Sequence, residues 1–160
     1  MKMKLIIGVV ALAVIGGAAF VVASGGEKMN EDQLDAMRGT DPYYVDSELI
    51  TVIAPYGGGE ILTNIQESKI VKLGFEIQYR VGIRWQEDPM PAADALAKVA
   101  SQLKSQLLIT LSGREPATFK GAGLSMLRQE ILDMINELAF PLQEARVEAV
   151  NLTTIFVQGG

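Results

Sequence analysis

The sequence predicts an α+β fold. A single N-terminal transmembrane helix precedes a two-layer domain of about four mainly antiparallel strands packed by two helices. The predicted order is strand, strand, strand, helix, helix, strand. Three observations carry this. Residues 5–23 form an unbroken run without a charge or a strongly polar group. Residues 71–85 alternate apolar and polar side chains with period 2, the mark of a strand with one buried face. Residues 92–111 and 124–138 repeat apolar residues at helical spacing on one face. One-sided strands and one-faced helices bury each other in two layers.

The apolar run comes first. As a helix it measures about 28 Å, close to the hydrocarbon thickness of a bilayer. Its anchor residues are Leu5, Ile6, Ile7, Val9, Val10, Leu12, Val14, Ile15, Phe20, Val21 and Val22. Lys2 and Lys4 precede it, so residues 1–4 are expected in the cytoplasm and the body across the membrane. Val21 and Ala23 before Ser24 also suit a cleaved signal peptide, although the run exceeds the roughly 7–15 residues usual there. Both readings export the body. Ala13 and Gly17 stand four apart, a spacing that lets membrane helices pack closely.

Residues 24–41 read as a charged connector with helical potential over 27–38, stopped by Gly39 to Pro42 and spacing the domain off the lipid. The domain itself spans 42–160. Residues 43–54 are rich in aromatic and β-branched side chains and read as a first strand. Gly57, Gly58 and Gly59 form a turn before a second strand at 60–65. The alternating segment 71–85 is the third strand, with Gly74 and Gly82 as sites for bulges or bends. Its length at 3.3 Å per residue, near 50 Å, is long for one strand. Two helices follow, separated by Pro116, and residues 147–158 make the last strand.

Composition narrows the chemistry. The 160 residues include no Cys and no His, which excludes disulfides, thiol nucleophiles, Cys/His zinc sites and Ser-His-Asp triads. Net charge is −5. Setting aside Lys2 and Lys4 takes the 14 basic residues to 12 against 19 acidic, a balance of −7. An acidic body is a poor nucleic-acid binder. The triple glycine lacks the Lys and Ser/Thr of a phosphate loop. Ser101 with Lys98 or Lys104 matches a Ser–Lys dyad by spacing, which would make the protein an exported hydrolase. Helix-surface residues match that spacing often, and no acid–base pair stands out. No catalytic, cofactor or metal residue is therefore assigned. Glu144 and Glu148 flank Arg146 in an exposed pattern at the start of the last strand. Arg80, Arg84 and Trp85 share one stretch. Arg and Trp favour interfaces, but Trp85 lies on the apolar face and reads as core.

The C-terminal third carries a resemblance. Leu111-Ser112 ends a helix. Gly123 is followed by Leu127-Arg128, then Glu130-Ile131 and Ile135-Asn136, and the chain closes on Phe156-Val157-Gln158. In order and spacing these motifs, with the single anchor, resemble the flagellar basal-body-associated FliL family over about 41–158. Where that family often carries Arg-Asp in the first helix, this chain has Lys104-Ser105. The resemblance implies a bacterial inner-membrane protein with a periplasmic domain similar to stomatin/SPFH domains. It implies no enzyme activity and no cofactor. The partners it implies are flagellar stator subunits and other copies of itself in a ring, with a role in motility and chemotaxis. Arg80, Arg84, Lys104 and Ser105 are the candidate partner-interface residues. A membrane-anchored scaffold of the same fold for another envelope complex is the alternative.

Overall fold

The computed structural model describes residues 10–14, 17–21, 29–44 and 47–159. Two strands come first, β1 (Val10–Val14) and β2 (Gly17–Val21), paired antiparallel with Val10 opposite Val21 and Val14 opposite Gly17. The helix expected over 5–23 is therefore corrected for these ten residues. Apolar length alone does not select helix, and Val10, Val14, Val21 and Phe20 also favour extended backbone. Ala13 and Gly17 lie on opposite strands, so they are not neighbours on one helical face. The other anchor residues, Leu5, Ile6, Ile7, Val9, Ile15 and Val22, lie outside the described residues. Among the described residues no helix is long and apolar enough to cross a membrane.

A short helix, α1 (Glu31–Met37), forms in the charged segment. Asn30 caps it: its side chain accepts from the Gln33 amide at 2.8 Å, and Gln33 returns a bond to the Asn30 amide at 3.1 Å. The first strand begins later than expected. β3 is Ile50–Ile53, while Asp41–Tyr43 is a single 3-10 turn. The reason is burial. Tyr43 and Tyr44 are both fully buried, and a strand would turn one of the two adjacent rings outward.

Gly57, Gly58 and Gly59 all have positive φ, the conformation that only glycine adopts without strain, and they turn the chain into β4 (Ile61–Ile65). The central strand, β5 (Lys69–Val81), buries Val71, Leu73, Phe75, Ile77, Tyr79 and Val81 on one face, as the alternation predicts. It stops at Val81. Its neighbour β6 (Ala145–Gln158) begins opposite Val81, and a last bond from the Gly82 amide to the Glu144 carbonyl closes the ladder there. Ile83–Trp85 instead make a 3-10 turn. Gly74 lies at a register shift between β5 and β6, and a second shift follows Gln78.

All pairs in this sheet are antiparallel. β6 lies along nearly the whole of β5. β4 and β3 share the other edge, against residues 69–73 and 76–79 respectively. Two helices cover one face, α2 (Met90–Ser112) and α3 (Ala122–Ala139). Pro91 sits in the first turn of α2, where a missing N–H costs nothing. Leu96, Leu103, Leu107 and Leu111 from α2 meet Leu127, Ile131 and Ile135 from α3 over the inner face of β5. Asn136 Oδ1 accepts from the Val147 amide at 2.8 Å and its Nδ2 donates to the Val147 carbonyl at 3.4 Å, joining α3 to β6.

Candidate functional site

The densest polar cluster lies where residues 29–44 meet the end of the sheet. Glu144 stands at its centre. The expected exposed position of Glu144 is corrected, since the residue is 6% exposed. β6 starts one residue later, and the turn from α3 directs the Glu144 carboxylate towards the segment before the sheet. Tyr43 Oη donates to Glu144 Oε2. Arg38 Nη2 lies 3.1 Å and Arg84 Nη1 3.3 Å from Glu144 Oε1. Arg84 also reaches Asp35 at 3.0 Å and Glu31 at 3.3 Å, both on α1. A buried carboxylate is tolerable only when its lone pairs are met, and here three donors meet them.

Burial, reinforced by the hydrogen bond to Glu144, raises the Tyr43 phenol far above its ordinary range, so Tyr43 is a neutral donor. Desolvation pulls Arg84 down, but Glu144, Glu31 and Asp35 outweigh it and hold the guanidinium above its usual value. Close by, Tyr44 Oη donates to the Gln143 carbonyl at 2.6 Å. Arg146 lies 4.5 Å over the Tyr44 ring and pairs with Asp41 at 2.9 Å and Glu148 at 2.8 Å. The backbone fits this packing closely. A Cβ on Gly82 would lie 1.9 Å from Cε1 of Tyr43, so only glycine leaves room for the ring.

The four residues expected at a partner interface separate. Arg84 is committed to the cluster just described. Arg80 donates to the Ser47 carbonyl, whose hydroxyl in turn accepts from the Val81 amide at 3.0 Å. These two arginines tie the chain to itself. Lys104 and Ser105 lie on α2, away from both. Ser105 Oγ donates to the Ser101 carbonyl at 3.1 Å, and Lys104 takes part in no ion pair among the described residues. No hydrogen bond joins Ser101 to Lys98 or Lys104 among the described residues, so the dyad spacing is not accompanied by dyad geometry. Trp85, expected in the core, packs at its margin, half-buried. Among the described residues no group of three or more acidic side chains is placed to hold a metal ion.

Two surfaces remain open. The outer edge of β6 has no strand partner among the described residues. Its second half, Asn151 to Gln158, carries no charge and no proline. Beside it, on the sheet face away from the helices, Leu62 and Phe156 flank Lys72 in one register row and are both more than half exposed. Between α2 and α3 runs an open groove of about 570 Å³, edged by Glu130, Asp133 and Glu137. Arg114 bonds Glu130 across it.

Sequence reasoning missed the Glu144 cluster. Its members are scattered at 31, 35, 38, 43, 84 and 144, and nothing in their local patterns distinguishes them from solvated charges. The one available signal was the adjacent pair Tyr43-Tyr44, too much aromatic surface to leave in water.

Comparison with known proteins adds a family. The family model described as flagellar basal body-associated protein FliL matches residues 57–158. No curated protein matches the chain.

Proposed function

This chain belongs to the flagellar basal body-associated FliL family, and from that membership we infer that it is a non-enzymatic accessory of the flagellar motor, acting by scaffolding the ion-driven stator. The family match over 57–158 carries the reading, because it spans β4, β5, both long helices and β6. The apolar run 5–23, with Lys2 and Lys4 before it, supports attachment to the inner membrane with the domain in the periplasm.

The free edge of β6 and the exposed Leu62 and Phe156 support lateral packing between copies. An uncharged edge is the part of an acidic molecule best suited to meet its own kind. A ring of such domains stabilises the stator by binding one of its conformations better than the other.

The test is a chromosomal deletion complemented with the wild type or with Leu12→Arg. The reading predicts reduced swimming that the wild type restores. It also predicts that Leu12→Arg moves the protein from the membrane to the soluble fraction and fails to complement. Normal swimming torque in the deletion at every load, or full complementation by the soluble variant, would contradict it.

A further inference from the structure

We propose that residues 29–44 form a releasable strap that sets the reach of the domain from the segment before it. Docked, the strap is folded back on the end of the sheet. Released, its 16 residues supply about 50 Å of extended chain at roughly 3.3 Å each. The consequence for height above a membrane rests on the attachment proposed above; the release does not.

Four observations carry the strap. It has its own apolar cluster, Met37, Tyr43 and Tyr44, separate from the main core. Among the described residues, Ile83 is the one hydrophobic residue outside the segment that joins this cluster, so undocking leaves the packing between sheet and long helices intact. Segments with few apolar links to the rest open as separate units at less than the global cost. The strap is held also by polar contacts at two neighbouring places: Tyr43 and Arg38 on Glu144 with Arg84 on Glu31 and Asp35, and Tyr44 on Gln143 with Arg146 on Asp41.

The dock is imperfect in one place. Arg38 Nε is buried with no hydrogen-bond partner among the described residues, so docking carries a desolvation cost that release recovers. Lastly, the family match begins at residue 57, so the strap lies outside the matched span. The strap meets the rest of the chain through Gly82, Ile83, Arg84, Gln143, Glu144 and Arg146.

Hydrogen exchange on the full-length protein in detergent tests this. The α1 amides of the wild type are expected to exchange at least tenfold faster than those of α2, α3 and β5. Glu144→Gln, which removes the charge both arginines face, is expected to speed α1 a further tenfold or more and to leave the other three within twofold. Tyr43→Phe, which removes one hydroxyl and no packing, is expected to act the same way more weakly, and it keeps the test open if Glu144→Gln fails to fold. Equal protection of α1 and the long helices would overturn the proposal. So would variants that change nothing, or that speed every segment alike.

A second readout uses the absence of cysteine from the chain. Spin labels at Asp32→Cys and Gln102→Cys are expected to give two distances, the longer one growing with Glu144→Gln. A single unchanged distance would overturn the strap. Failure of the full chain to partition into phosphatidylethanolamine/phosphatidylglycerol vesicles would remove the membrane reading, while two distances and fast α1 exchange would still establish release.

Discussion

Replacing Gly82 with alanine tests the packing of the clasp at one atom. The Gly82 backbone has φ −70° and ψ 168°, which alanine adopts freely, so no backbone strain enters. The added Cβ would lie 1.9 Å from Cε1 and 2.6 Å from Cδ1 and Cζ of Tyr43. The ring cannot swing aside freely. It is fully buried, and its hydroxyl is bonded to Glu144. Overpacking of this kind costs about 1–3 kcal/mol. Displacing the ring also weakens a hydrogen bond to a charged group worth about 1.5–3 kcal/mol. A net cost of about 3 kcal/mol follows, roughly a hundredfold in the opening equilibrium of residues 29–44. The assay is hydrogen exchange at the α1 amides in a double-mutant cycle with Tyr43→Ala. Without the ring the clash is gone, and because Gly82 stays folded when residues 29–44 open, Gly82→Ala should then be near neutral. The cost should therefore vanish in the Tyr43→Ala background. Additive effects, with coupling below about 0.5 kcal/mol, would refute the packing argument.

Three further outcomes follow from the same geometry. Asn136→Ala strips the buried Val147 of its side-chain partner and should lower stability by about 1–3 kcal/mol in urea denaturation, with Asn136→Asp, which keeps the acceptor, costing less. Tyr43 has a raised folded-state pKa, from burial first and Glu144 second. Its contribution is thus complete below the unfolded value of 10.0 and is lost as pH climbs from there, so α1 protection should fall above about pH 10 and fall less steeply in Tyr43→Phe. Thr153 is the residue left unpaired at the β5–β6 register shift, so Thr153→Pro should spare that ladder while blocking the outer edge. Sedimentation of the full-length protein should then show a smaller species than the wild type.

The domain was largely legible because its side chains repeat. The inner face of β5 alternates from Val71 to Val81, and Leu103, Leu107 and Leu111 recur at helical spacing, so period alone identified strand and helix. The errors fall where period gives no guidance. Ile83 and Trp85 continue the alternation of β5, but the pairing with β6 closes at Gly82 and Glu144, and pairing decides where a strand ends. Tyr43 and Tyr44 have strand propensity, yet burying both rings requires a turn. The run at 10–21 is apolar enough for a helix and β-branched enough for strands, and its pairing separates Ala13 from Gly17.

The candidate site was the least legible part. Arg84 looked like an interface arginine because its three acidic partners lie 49 to 60 residues away in sequence. Glu144 looked solvated because, with Glu148, it brackets the charged Arg146. Long-range ion pairs leave no local period, and only the fold brings them together.

The central claim is association with the flagellar motor. Affinity purification of the tagged full-length protein from gently solubilised membranes, with mass spectrometry of what accompanies it, tests that claim most directly. The account predicts stator subunits in a large complex containing several copies of this chain. A reproducible non-flagellar membrane complex without stator subunits would contradict it.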